Sequence, residues 1–226
     1  MPLSSGTERR ARLAAARLYL VCDSQGDGHD LAAFLDAALR GGVDLIQLRD
    51  KHGDEETILR AAEVFRSAAS THDALFVLND RPDLVEATGA DGVHVGQDDM
   101  GVPQARVAVG DERIVGLSTH TPAQVDAAAQ DDVDYFAVGP VHATPTKPGR
   151  PAVGLELIEH AAGEPRRIPW FAIGGLDATN LPAAVAAGAR RAVVVRALTQ
   201  AGDPEATARA LRAGMEPAEV PGGAAA

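Results

Sequence analysis

From Leu18 onward, short runs of aliphatic and β-branched residues alternate with longer alanine-rich stretches whose apolar positions recur at helical spacing. The runs are LYLVC, VDLIQL, ALFVL, GVHV, IVGLS, YFAVG, WFAIG and AVVVR. Helices are predicted near Asp30 to Arg40, Glu55 to Ser70, Pro82 to Thr88, Pro103 to Val109, Pro122 to Gln130, Leu155 to Ala161, Leu181 to Ala187 and Pro204 to Ala213, several opening on proline. Eight such units in succession require parallel strands with right-handed crossovers, and a (β/α)8 barrel closes them compactly. The expected fold is therefore a single TIM barrel of the α/β class over residues 18–215, with a doubly wound open sheet as the alternative. Ahead of it, Arg9, Arg10, Arg12 and Arg17 lie among alanines without a signal-peptide apolar core, which predicts an extra N-terminal helix within residues 1–17. The Pro-, Gly- and Ala-containing tail, 216–226, is expected to fray.

Composition narrows the ligand. At 226 residues and 46% hydrophobic content the chain can bury one large core. Its net charge of −11 opposes non-specific attraction to nucleic acid or an anionic membrane, so an anionic ligand needs a local basic pocket. The only cysteine, Cys22, excludes an intramolecular disulfide and a cysteine zinc cluster. No apolar run approaches the length of a membrane span. The expected partners are small molecules, with no nucleic acid and no membrane, in the cytoplasm; association into a homo-oligomer is left open.

In a barrel of this kind the chemistry sits on loops that follow the C-terminal ends of the strands, and the polar clusters of this chain fall there. Gln47, Arg49, Asp50 and Lys51 follow the second run, Asn79 and Asp80 the third, and Gln97, Asp98 and Asp99 the fourth. Alternation along VDLIQLRDK predicts Val43, Leu45, Gln47 and Arg49 on one face, so the barrel interior turns polar at its upper rim. With Lys51 just beyond, two cations and an amide could hold a diphosphate; an Arg–Asp surface pair is the plainer reading. Asp80 and Asp99 are candidate magnesium ligands, because that hard cation takes one or two carboxylates beside waters and phosphate oxygens. Asp98 competes with Asp99 for this role, or caps a helix. Asn79 reads a heterocycle or diphosphate, or stabilises a turn.

The stretch VGPVHATPTKPGRP, residues 138–151, breaks an apolar run into a loop stiffened by Pro145 and Pro148. It presents Thr144, Thr146 and Lys147 as a phosphate site, or is simply a rigid surface loop. His94 reads as an interior histidine held by barrel neighbours, with a ligand-facing base as the alternative. His120 and His142 lack metal-ligand spacing. Ser118 follows the fifth run without a histidine and acid placed for a triad, which suggests binding rather than attack. Gly174-Gly175 permits close backbone approach to an anion, or serves a turn. There is no Walker loop, dinucleotide fingerprint or aromatic platform for nucleic acid.

In order and spacing, QLRDK, LNDRPDL, GVHVGQDDM, GLSTH, GPVHATPTK and AIGGL resemble the thiamine-phosphate synthase family over about Leu18 to Leu198. The resemblance implies a barrel enzyme that joins 4-amino-2-methyl-5-hydroxymethylpyrimidine diphosphate to a thiazole phosphate, with one Mg2+ per active site and a dissociative course. It implies pyrimidine diphosphate contacts at Gln47, Arg49, Lys51, Asn79, Ser118 and Lys147, of which Arg49, Lys51 and Lys147 serve catalysis. It implies metal ligands at Asp80 and Asp99, and thiazole phosphate contacts at Thr144, Thr146, Gly175, Val195 and Arg196. Arg196 departs from the pattern, which has a small hydroxyl residue there; strand alternation would give it the facing of Val194, with either its guanidinium or only the backbone on the phosphate. A thiazole tautomerase or a non-catalytic thiamine phosphate sensor is the rival, against which the retained cations and acid pair argue.

Overall fold

Side chains alternate along each apolar run between two buried environments, and that alternation generates concentric layers. Tyr19, Val21, Leu45, Val77, Tyr135, Phe171 and Val193 fill the inside of a cylinder, while Leu18, Leu20, Ile46, Phe76, Val93 and Phe136 pack outward against helices. The computed structural model, which describes residues 5–24, 30–143 and 151–215, is a closed barrel of eight parallel strands in sequence order. They are β1 (Leu18–Cys22), β2 (Leu45–Leu48), β3 (Leu75–Asn79), β4 (Gly92–Val95), β5 (Ile114–Thr119), β6 (Tyr135–Val138), β7 (Trp170–Ile173) and β8 (Ala192–Val194). The fold is the (β/α)8 barrel that the periodicity predicts.

Outside lie α2 (Leu31–Arg40), α3 (Glu55–Thr71), α4 (Val85–Thr88), α5 (Val102–Val109), α6 (Pro122–Ala128), α7 (Glu156–Ala162), α8 (Leu181–Ala186), α9 (Arg196–Thr199) and α10 (Pro204–Ala213). Their starts follow local chemistry. Asp30, Asp54, Thr121 and Asp203 each accept a hydrogen bond from an amide of the first turn, and Pro122 and Pro204 sit where the missing N–H costs nothing. No helix among the described residues is long and apolar enough to cross a membrane.

Two expected facings change. β2 begins only at Leu45, so Val43 precedes the alternation and packs in the outer layer rather than beneath Gln47. β8 stops at Val194, which faces the helices, and Arg196 opens α9 instead of continuing the strand. The facing expected for Arg196 therefore does not hold.

The opposite end of the barrel is closed by α1 (Gly6–Ala15), whose Leu13, with Ala16 beyond it, joins the inner apolar layer. Three aspartates lock this floor, each standing one residue before an even-numbered strand or its first residue. Asp44 accepts from Leu18 N at 3.0 Å, Asp91 from Phe76 N at 3.0 Å and Asp134 from Val115 N at 2.8 Å. Their remaining capacity meets Arg212, Arg9 and Arg106 respectively, with Arg10 also on Asp134. The most buried of these, Arg9, Arg106 and Asp134, are tolerated because each is paired and hydrogen-bonded.

Candidate active site

At the C-terminal end of the strands the inner layer turns from apolar to polar. Alternation carries Gln47 (β2), Asn79 (β3), His94 (β4) and Ser118 (β5) inward on consecutive strands, above the rings of Tyr19 and Tyr135. With Arg49, they line one pocket whose far wall is Gly174, Gly175, Val195 and Arg196. The expected cluster of Gln47, Arg49, Asn79, Ser118, Gly175, Val195 and Arg196 thus converges, although these residues are drawn from five different strand ends.

Arg49 is the most telling member. Its Nε is buried and meets no hydrogen-bond acceptor among the described residues. Burial pushes the guanidinium below its ordinary pKa, opposed by Asp80 and then Asp99. A cation held in this state has an unmet donor ready for an anion.

Beside it, Lys51 Nζ lies 3.4 Å from Asp80 Oδ2, and Asn79 Nδ2 donates to the same oxygen at 2.5 Å. Asp80 takes left-handed backbone geometry, with φ of 57°, and its amide donates to His94 O at 2.9 Å. Aspartate is among the few side chains that accept this conformation, and strained backbone of this kind concentrates at functional sites. Burial raises the pKa of Asp80, and the neighbouring Asp99 carboxylate raises it further. Asp99 in turn accepts from Gly96 N at 3.0 Å, which fixes its orientation.

The two neighbouring carboxylates, Asp80 and Asp99, form a hard-oxygen donor pair that fits a magnesium ion completed by waters and phosphate oxygens. No group of three or more His, Cys, Asp or Glu side chains suited to a metal occurs among the described residues. Lys51, Asp80 and Asp99 stand at the rim rather than in the pocket lining.

At the far wall, Gly174 (φ 109°) and Gly175 (φ 64°) occupy positive-φ backbone, and a Cβ on Gly174 would lie 2.4 Å from Pro140 Cα. Only glycine fits there, so the chain after β7 runs hard against the loop after β6. Gly174 O accepts from His142 N at 3.0 Å and Gly175 O from Asn180 Nδ2 at 2.8 Å. Thr144, Thr146 and Lys147 lie outside the described residues.

Sequence reasoning missed the floor. Gln47 donates through Nε2 to the Tyr19 hydroxyl, which is 2.9 Å from the Tyr135 hydroxyl; that oxygen is 3.0 Å from His94 Nδ1, and His94 Nε2 is 2.9 Å from Ser118 Oγ. Ser118 has a histidine partner that spacing does not reveal, because parallel pairing sets His94 opposite Gly116, two residues before it. The other nitrogen of that histidine meets a phenol, so the arrangement orients a hydroxyl and is not the acid-backed triad of a nucleophile.

Against known proteins, residues 18–198 match the family model described as thiamine monophosphate synthase. The thiamine-phosphate synthase of Thermobifida fusca is 53% identical over 205 residues, covering 90% of this chain and 94% of that protein. That of Mycolicibacterium smegmatis is 50% identical over 216 residues, covering 92% and 95%. Among solved structures, thiamine phosphate pyrophosphorylase from Pyrococcus furiosus superposes with a TM-score of 0.80 at 26% identity, covering 92% of this chain and 97% of that one. Similar over almost its whole length to transferases of one activity, and carrying their fold, this chain belongs to the thiamine monophosphate synthase family and is itself a transferase with thiamine-phosphate synthase activity.

Proposed function

We propose that this chain joins 4-amino-2-methyl-5-hydroxymethylpyrimidine diphosphate to a thiazole phosphate in a dissociative, Mg2+-assisted substitution. The methylene C–O bond breaks first, pyrophosphate leaves with the bonding pair, and the thiazole nitrogen then donates its pair to the resulting pyrimidine-stabilised cation. The observation that carries this reading is Arg49, a half-buried cation whose buried Nε is an unmet donor, beside a carboxylate pair.

Arg49, Lys51 and Lys147 stabilise the charge that grows on the departing diphosphate, as preorganised electrostatics do in the absence of a protein nucleophile. Gln47, Asn79 and Ser118 contact the pyrimidine diphosphate and hold the reacting carbon in line. Asp80 and Asp99 would hold the Mg2+, which neutralises phosphate charge when bound. Thr144, Thr146, Gly175, Val195 and Arg196 are assigned to the thiazole phosphate. The apolar inner wall, with Val193 and Ile173, keeps water from capturing the cation.

An assay with both substrates, Mg2+ and separate detection of pyrophosphate and thiamine phosphate tests this. Omission of either substrate should abolish both products, and exhaustive chelation should stop turnover until Mg2+ is restored. Undiminished turnover in chelator would remove the metal from the scheme.

Arg196 supplies a narrower check. Arg196, an exposed residue at the first position of α9, lines the pocket together with Gly175. If the guanidinium grips the phosphate, Arg196→Ala should raise the thiazole phosphate KM by a factor equivalent to about 1.5–3 kcal/mol, with the diphosphate KM unchanged. An unaltered thiazole phosphate KM leaves the backbone as the binder.

A further inference from the structure

The chain of buried side chains from Gln47 to Ser118 has a direction, and the direction follows from counting protons. The Gln47 amide nitrogen can only donate, so the Tyr19 oxygen it touches accepts. The single proton of Tyr19 then has Tyr135 oxygen, 2.9 Å away, as its side-chain acceptor. Tyr135 is left with its own proton for His94 Nδ1 at 3.0 Å, which must therefore be unprotonated. A neutral imidazole without a proton on Nδ1 carries it on Nε2, 2.9 Å from Ser118 Oγ, so Ser118 accepts. The hydroxyl proton of Ser118 is then directed away from His94, and Ser118 lines the pocket.

The surroundings hold this arrangement still. Both phenols are fully buried, and burial keeps them protonated, well above their ordinary pKa. Phe171 packs edge-on against both rings, at 5.5 Å from Tyr19 and 5.7 Å from Tyr135. Gly116 makes the room, since a Cβ there would lie 2.2 Å from the Tyr135 ring.

We propose that Tyr19 and Tyr135 are positioning residues that hold His94 in its Nε2–H form and thereby make Ser118 a hydrogen-bond donor toward the diphosphate substrate. This deepens, and rests on, the reaction proposed above. With the chain reversed, Ser118 would give its proton to His94 and present oxygen lone pairs to an anion, so the direction decides whether the site floor attracts or repels negative charge. A donor of this kind gains most as charge develops, which places its effect on kcat.

The test uses the full chain labelled with 15N-histidine, the His94 signal being identified by its loss in His94→Gln. A proton on Nε2 and none on Nδ1 is expected; a proton on Nδ1 overturns the proposal. In Tyr135→Phe the His94 signal should become a mixture of the two forms, and kcat should fall about 10- to 30-fold with the thiazole phosphate KM within about twofold. Tyr19→Phe, which leaves the Tyr135–His94 bond in place, should show a smaller loss of the same kind and serves if the Tyr135 variant does not fold. Wild-type kcat in a folded Tyr135→Phe protein, or in Tyr19→Phe where only that variant folds, overturns the positioning role. Failure of the wild type to form thiamine phosphate would instead sink the reaction, and the spectrum would still report the direction of the chain.

Discussion

Asp80→Asn should lose activity and gain stability together. Burial, and then the Asp99 carboxylate, raise the Asp80 pKa in the folded protein, and Lys51 at 3.4 Å offsets only part of this. A carboxyl with a raised folded pKa stabilises the fold below its ordinary pKa, and that stabilisation is lost as the pH rises through the folded value. At neutral pH the ionised group is therefore a cost, which asparagine removes while its carbonyl oxygen can still accept from Asn79. In chelator at neutral pH the variant should melt about 2–4 °C higher than wild type, allowing for solvent screening near the rim, and the gap should close in acid. Its kcat/KM should fall on the order of 10²–10³-fold, since the proposed metal ligand beside the leaving group would be lost. A lower melting temperature would mean that the raised proton affinity is not what the carboxylate contributes to the fold; activity within a few-fold of wild type would displace Asp80 from the metal.

For Arg49→Ala the expected loss is at least as large, about 10³-fold in kcat/KM, divided between a higher diphosphate KM and a lower kcat. Its buried Nε has no acceptor among the described residues, so this cation keeps a donor available to an anion. In the proposed reaction the diphosphate would complete it, and the growing charge on the leaving group would strengthen the contact. Arg49→Lys should recover little, because a point charge cannot reproduce a planar fork. The thiazole phosphate KM is the control: if it rises as steeply as that of the diphosphate, Arg49 belongs to the other substrate.

The barrel is legible in the sequence because its signal is local and repeated. GVHV is a strand over the same four residues that the apolar run marks, and Pro122 and Pro204 start helices where proline is expected. The rim is legible for a related reason, since a polar residue after an apolar run marks a strand end whatever follows it. Two kinds of information are not local. Tyr19 and Tyr135 read as apolar filler within their runs, and the bond between them joins positions 116 residues apart. His94 and Ser118 meet only through the register of β4 on β5. The facing expected for Arg196 fails because Val193 to Val195 read as one β-prone run, whereas the strand stops at Val194 and Arg196 opens α9. The loop holding Thr144, Thr146 and Lys147 lies outside the described residues, so its part in the site rests on the sequence.

β1 hydrogen-bonds to β8 as well as to β2, and Arg191, just before β8, donates to the carbonyls of Ala14 and Ala16. On the ribosome, the first strand must therefore wait for the last. At ordinary translation speeds that delay is on the order of 10–30 s, during which LYLVC has an open edge and the floor behind it is unfinished. Truncated chains should be sticky rather than partly active, for the pocket draws Tyr19 from the beginning of the barrel and Val193 from its end. Catalytic competence in this protein arrives all at once, with the closing of the ring.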